Sequence, residues 1–220
     1  MIKRIALIPP VYPILDCTLT SFTYMEKIAK AIIDGGAKII QLRAKGLSSR
    51  EFLESALIIR RISKGRGVIF IVNDRVDVAL LADADGVHLG QDDLPVKEAR
   101  HLLGSSKIIG YSTHNLREAL NAVKLPVDYI SFGPIFHTKT KKDAQTPKGI
   151  RRLAEVRKAV ALPIVAIGGI TETNMAYVFK QEADSAAMIS EILTSPDIAK
   201  KINRLIAIAK ELESRLRAEG

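Results

Sequence analysis

The segment Gln41-Leu42-Arg43-Ala44-Lys45 closes a short apolar run, and alternation along an extended chain turns Gln41, Arg43 and Lys45 to one side. Two cations and an amide donor converging in this way suit a diphosphate, although a surface ion-pair patch would use the same residue types. Asn73-Asp74 follows another apolar run, Ile69-Phe70-Ile71-Val72, and the pair Asp92-Asp93 falls in the next loop. Asp74 alone fits a helix cap as well as a ligand. Taken with Asp93, it offers carboxylate oxygens from two neighbouring loops, which suits a hard cation. Mg²⁺ needs only one or two carboxylates, because waters and substrate phosphate oxygens complete its shell. Cys and His do not cluster, so zinc is not indicated, and His88 reads as a packed strand histidine.

A second set of residues suits phosphate. Thr138-Lys139-Thr140-Lys141-Lys142 follows the turn at Gly133-Pro134 and offers hydroxyls at fixed reach beside mobile point charges; a solvated loop would read the same way in isolation. Gly168-Gly169 lies between a strand and a helix, where backbone N–H groups approach an anion closely, and Ile189-Ser190 precedes the last helical region similarly. Ser112 and His114 follow the fifth candidate strand.

These residues recur because the elements beneath them recur. Short β-branched runs alternate with stretches of helical period along the whole chain, the pattern of parallel strands joined by crossover helices. About eight pairs are predicted, with strands at Tyr12–Asp16, Lys38–Arg43, Val68–Val72, Gly86–Leu89, Lys107–Gly110, Val127–Phe132, Pro163–Ile167 and Ser185–Ser190. Their lack of polar alternation fits strands covered on both faces. Ser48 and Ser49 are candidate caps for a helix with Glu51 in its first turn. The longest helix, from about Ile198 to Leu216, should dock Ile202, Leu205, Ile206, Ile208, Ala209 and Leu212 and turn Lys200, Lys201, Arg204, Lys210 and Glu211 to solvent. Eight units favour a single-domain (β/α)₈ TIM barrel over residues 1–220, an α/β fold, rather than an open doubly wound sheet. In a barrel the polar strand ends, from Asp16 round to Ser190, all meet at the C-terminal rim, where barrel enzymes place their chemistry.

Composition narrows the partners. With 47% hydrophobic and 26% charged residues, the chain can bury a core. The net charge of +9 suits polyanions of any size, but eleven Phe plus Tyr and no Trp leave few stacking platforms for unpaired bases, which counts against nucleic acid. The single Cys17 fits a reducing compartment, and the cytoplasm is expected. Pro9-Pro10 and Pro13 interrupt the apolar N-terminus, so no export signal is expected, and no apolar run suggests a membrane span. Neither Ser-His-Asp nor Cys-His signatures are evident.

Several motifs in fixed order carry a resemblance. QLRAK at 41–45, NDRVDVAL at 73–80, DGVHLGQDDLP at 85–95, SFGPIFHTKTKKD at 131–143 and PIVAIGGI at 163–170 resemble the thiamine-phosphate synthase family over nearly the full length. The resemblance implies a Mg²⁺-dependent transferase that condenses hydroxymethylpyrimidine diphosphate with hydroxyethylthiazole phosphate, giving thiamine phosphate and diphosphate by a dissociative route. It implies that the pyrimidine diphosphate contacts Gln41, Leu42, Arg43, Ala44, Lys45, Asn73, Ser112 and Lys141, and that Asp74 and Asp93 hold the metal. It places the thiazole phosphate against Thr138, Lys139, Thr140, Gly169, Ile189 and Ser190, and the catalytic burden on Arg43, Lys45, Ser112 and Lys141. Partners are therefore small phosphorylated molecules, with homo-oligomerisation left open. Barrel relatives that isomerise a thiazole phosphate are the nearest alternative, and the intact Gln-Arg-Lys trio, Asn73-Asp74 and the Thr-Lys-Thr-Lys run at 138–141 favour the synthase. A basic RNA-associated barrel and a Schiff-base aldolase or isomerase are more distant ones. The chain departs from the family pattern at Tyr111, His137, Glu182 and Ser185; Ser185 threatens to shift the last strand and with it Ile189-Ser190.

Overall fold

The structure is a computed structural model and describes residues 8–138 and 146–219. Eight parallel strands, β1 (Val11–Asp16), β2 (Ile39–Arg43), β3 (Ile69–Asn73), β4 (Gly86–Leu89), β5 (Ile108–Thr113), β6 (Tyr129–Phe132), β7 (Ile164–Ile167) and β8 (Ser185–Met188), pair in sequence order and close when β8 meets β1. The helices that return the chain are α1 (Met25–Asp34), α2 (Ser49–Ser63), α3 (Val76–Leu81), α4 (Val96–Leu103), α5 (Leu116–Ala122), α6 (Gly149–Ala159), α7 (Met175–Phe179), α8 (Ser190–Leu193) and α9 (Ile198–Glu219). This is the (β/α)₈ barrel that the alternation predicts.

Alternation sorts the side chains into two cores. Outward residues such as Leu15, Leu42, Val72, Val87 and Phe132 pack with the helices in the larger apolar layer. Inward residues Ile8, Tyr12, Ile14, Ile39, Ile71, Tyr129 and Val165 fill the barrel. Strands β2 to β6 then change character toward their C-terminal ends, where the inward positions become Gln41, Asn73, His88, Ser112 and Ser131. The apolar interior thus forms the base of a polar basin.

Local signals explain the boundaries. Ser48 caps α2 through a reciprocal capping box with Glu51. The C-terminal strand ends differ from expectation in three places. β3 includes Asn73, and β5 runs on to Thr113, so Ser112 projects from a strand rather than a loop. β8 stops at Met188, and Ser190 opens the short α8. Ser185 does not displace β8: it is fully buried, its hydroxyl donates to the Pro9 carbonyl at 2.6 Å, and the strand keeps its register with β1 and β7. Glu182 occupies a left-handed turn position, φ +57°, which explains why glycine is the easier residue there.

A repeated clamp closes the opposite, N-terminal face. Asp85, Asp128 and Asp184 each stand one residue before an even-numbered strand, at β4, β6 and β8. Each accepts a backbone N–H from the preceding strand, Phe70 at 2.8 Å, Ile109 at 2.7 Å and Ile164 at 2.8 Å. Each also pairs with an arginine of the helix before that strand, Arg60, Arg100 or Arg157. In the first quarter of the barrel Lys38 holds the position before β2 without such a carboxylate, and only the backbone bond to the following strand recurs: its carbonyl accepts the Ile69 N–H at 2.9 Å, as the Asp85 carbonyl accepts that of Ile108. Three of the four β-α-β-α quarters therefore share one side-chain pairing.

On α9, Ile202, Leu205 and Ala209 are fully buried, and Ile206, Ile208 and Leu212 flank them. Lys201 departs from the expected solvent face; it lies half-buried between Glu172 and Glu191. Among the described residues no helix is long and apolar enough to cross a membrane.

Candidate active site

The C-terminal rim encloses a cavity of about 610 Å³. Gln41, Arg43 and Lys45 all reach it, as the alternation of β2 requires, whereas Leu42 and Ala44 point outward into the layer beneath the helices, 0% and 4% exposed. Of those two residues only the backbone is available to a ligand. Asn73, Asp74, Asp93, Ser112, Thr138, Gly169, Ile189 and Ser190 also line the cavity. Lys139, Thr140 and Lys141 lie outside the described residues.

The cationic side is held from below. Asp16 ends β1 beside Arg43 in register and is fully buried. One of its oxygens accepts from Arg43 Nη1 at 2.6 Å, the other from the Thr18 N–H at 2.9 Å and the Thr18 hydroxyl at 2.8 Å. Arg43 is thereby fixed in direction with its remaining donors toward the basin. Lys45 is more exposed and leans on Asp74 at 3.4 Å.

The acidic side is strained in charge. Asp74 sits at φ +65°, its N–H donating to the His88 carbonyl at 2.8 Å, which directs the carboxylate over the basin; it makes no capping bond to α3. Burial, and then the facing Asp93 carboxylate, outweigh Lys45 and push the Asp74 carboxyl up to about 6. Asp93 is anchored by the Gly90 N–H at 2.6 Å. Two oxygen-donor groups that repel each other until something positive comes between them fit a hard divalent cation.

The floor is a chain of hydrogen bonds that crosses the barrel. Gln41 Nε2 donates to the Tyr12 hydroxyl at 2.9 Å, which meets the Tyr129 hydroxyl at 2.9 Å, which meets His88 Nδ1 at 2.9 Å. His88 Nε2 lies 2.9 Å from Ser112 Oγ and 3.3 Å from Ser131 Oγ. Burial raises both phenols, so the two tyrosines stay protonated. Gly110 makes room for this crossing, because a Cβ there would come within 2.1 Å of the Tyr129 ring and 2.5 Å of His88 Nδ1. Tyr12, Tyr129, Ser131 and Gly110 are the residues that motif spacing does not single out as functional, and Asp16, one of the polar strand ends, gains its role as the partner of Arg43. Their signal was the strand alternation that places them in phase with Gln41 and Ser112.

The third wall belongs to the loops after β7 and β8. Gly168 and Gly169 take φ +100° and +62°, and a Cβ on Gly169 would lie 2.3 Å from the His137 carbonyl. That contact is made by backbone, so the unusual side chain at His137, which is exposed, leaves the wall intact. Tyr111 ties the rim instead: its hydroxyl donates to Gln91 Oε1 at 3.1 Å, while Gln91 Nε2 donates to the Ser112 carbonyl at 2.6 Å.

A family model described as thiamine monophosphate synthase matches residues 11–192, and every wall of this basin falls within that span. The chain belongs to the thiamine-phosphate synthase family. It is 45% identical over 203 residues to a thiamine-phosphate synthase of Chloroflexus aurantiacus, covering 91% of this chain and 94% of that one. A thiamine-phosphate synthase of Pelotomaculum thermopropionicum is 49% identical over 187 residues, 85% of this chain and 86% of that one. Among solved structures, a thiamine phosphate pyrophosphorylase from Pyrococcus furiosus superposes with a TM-score of 0.82 at 36% identity, covering 92% of this chain and 96% of that one. As a member of this family the chain is a transferase of thiamine phosphate synthesis.

Proposed function

We propose that the basin joins hydroxymethylpyrimidine diphosphate to hydroxyethylthiazole phosphate, forming thiamine phosphate and releasing diphosphate. The observation that carries this reading is the opposition, on one rim, of the fixed cation Arg43 and the mutually repelling carboxylates Asp74 and Asp93. A diphosphate with its divalent counter-ion satisfies both at once. Mg²⁺ held by Asp74 and Asp93 would supply charge neutralisation to the departing diphosphate.

The remaining work falls to this chain's own groups. Arg43 and Lys45 draw negative charge toward the rim, with Lys141 assigned the same role from its place in the sequence. The electron-rich aminopyrimidine lets the bond from its exocyclic methylene to the diphosphate oxygen break first, the electron pair leaving with the diphosphate. The thiazole nitrogen then donates its lone pair to that methylene and the carbon–nitrogen bond forms. Such a route needs electrostatic stabilisation and alignment rather than a general base. The hydrogen-bonded floor of Gln41, Tyr12, Tyr129, His88 and Ser112 offers donors and acceptors to a polar heterocycle. Asn73 stands beside it, and only the backbone of Leu42 and Ala44 takes part. Thr138, Gly169, Ile189 and Ser190, with Lys139 and Thr140 by sequence position, receive the thiazole phosphate.

The test is to incubate the protein with both phosphorylated heterocycles and Mg²⁺, with and without chelator, and to separate the products by chromatography. Metal-dependent appearance of thiamine phosphate and diphosphate together is the expected result. Conversion of a thiazole isomer with neither product formed would replace this reading with that of a tautomerase.

A further inference from the structure

The walls that receive the thiazole phosphate are braced from outside by a residue of α9. Thr171 and Ser190 line the basin, and each is followed in the chain by a glutamate, Glu172 and Glu191, that turns away from it. Lys201, in the first turn of α9, reaches both: its Nζ lies 3.1 Å from Glu172 Oε2 and 2.9 Å from Glu191 Oε1. The Glu172 N–H also donates to Glu191 Oε1 at 3.4 Å, and Arg204 Nε holds the other Glu172 oxygen at 2.6 Å. Glu172, Glu191 and Lys201 are only 17%, 18% and 24% exposed along their side chains, so solvent screens them incompletely.

The base of Lys201 is itself fixed. α9 lies so close to the end of α1 that a Cβ on Gly35 would come within 2.6 Å of the Ala199 carbonyl. The loop after β7 is tied internally, Asn174 Oδ1 accepting from the Thr171 N–H at 2.8 Å and its Nδ2 donating to the Gly169 carbonyl at 2.9 Å. Through Thr171 and Asn174, Glu172 is thus linked to the Gly169 backbone. The family match ends at residue 192, before α9 begins at Ile198.

We propose that Lys201 is a positioning residue for the thiazole phosphate: it locks the loops after β7 and β8 together and cancels the carboxylate charge that would otherwise stand behind a bound phosphate. With Lys201 and Arg204 opposite Glu172 and Glu191 the cluster is neutral; without Lys201 it carries one uncompensated negative charge beside an anion-binding wall. The inference rests on the functional reading above, and its test separates the two.

Steady-state kinetics of wild type and Lys201→Met, varying each substrate in turn, should show KM for the thiazole phosphate raised by about 10-fold in the variant. KM for the pyrimidine diphosphate should be unchanged, and Lys201→Arg should restore near-wild-type values. If Lys201→Met does not fold, Lys201→Gln, which keeps a polar end without the charge, should show the same selective rise. A variant with both KM values intact, or with both raised equally alongside a lowered Tm, overturns the role of Lys201 while leaving the functional reading standing. A wild-type protein that forms no thiamine phosphate overturns that reading, and this inference with it.

Discussion

Arg43 Nη1 stands 2.6 Å from Oδ2 of Asp16, a carboxylate with no solvent exposure whose other oxygen is taken by Thr18. The cation proposed to face the leaving diphosphate is therefore half of a buried pair, and its removal has two consequences. Arg43→Ala should lower turnover by roughly 10²-fold, the scale of losing one electrostatic donor. It should also cost about 3 kcal/mol of stability by leaving the buried Asp16 carboxyl without its cation. Chemical denaturation and kinetics measured at a temperature where the variant is folded separate the two, and a near-normal rate would remove Arg43 from the mechanism.

The Asp74–Asp93 pair makes metal binding and pH interdependent. A carboxyl lifted from its ordinary value of 3.8 to about 6 binds its proton more tightly in the folded chain than in the unfolded one. Its contribution to stability is therefore full below the unfolded value and is lost as pH rises through the folded one. Without metal the protein should lose stability from this group between about pH 4 and pH 6. Mg²⁺ favours the ionised pair, so it should raise Tm more at pH 8 than at pH 5. A Mg²⁺-induced shift in Tm that is the same at both values, or absent in wild type, would argue against this pair as the metal site, and Asp74→Asn should abolish the shift.

Tyr129→Phe interrupts the floor at its middle and takes a partner from both Tyr12 and His88. A stability loss of about 1–3 kcal/mol is expected from groups left buried with fewer hydrogen bonds. If the floor reads the pyrimidine, kcat/KM measured for the pyrimidine diphosphate should fall while KM for the thiazole phosphate stays constant. Gly110→Ala should be more disruptive than its size suggests, because the added carbon meets the Tyr129 ring.

The clamps at the opposite end of the barrel should affect stability alone. Arg157 is 6% exposed along its side chain and pairs with Asp184, which also accepts the Ile164 N–H. Asp184→Ala should cost about 2 kcal/mol through the loss of a charge partner and of a backbone acceptor. Turnover by the folded fraction should be within about two-fold of wild type, as expected of a site on the N-terminal face of a barrel.

Glu182→Gly relieves a left-handed residue, at φ +57°, in an exposed turn. The strain of an L-residue there, about 1 kcal/mol, exceeds by a little the extra flexibility that glycine gives the unfolded chain, so a small rise in Tm is expected. A fall in Tm would show that the Glu182 side chain contributes something its exposure does not suggest.

The period of the apolar runs, and the turn residues between them, determined the barrel from sequence alone: a strand buried on both faces must be continuously apolar, and eight such strands alternating with helices have few ways to close. The same periodicity determined that Gln41, Arg43 and Lys45 share a side, because side-chain direction in a strand is a local property, while the structure turned Leu42 and Ala44, expected as substrate contacts, under the helices. What no local property could settle was which inward residue of one strand meets which of another. That Arg43 rests on Asp16, that Tyr12, Tyr129 and His88 join into one floor through the space left by Gly110, and that Lys201 bridges two loops are consequences of the register between strands and of where α9 docks. Residues 29, 117 or 41 positions apart come within hydrogen-bonding distance there. The raised carboxyl of Asp74 belongs to the same class, since its burial and the approach of Asp93 follow from how the loops after β3 and β4 pack over the rim.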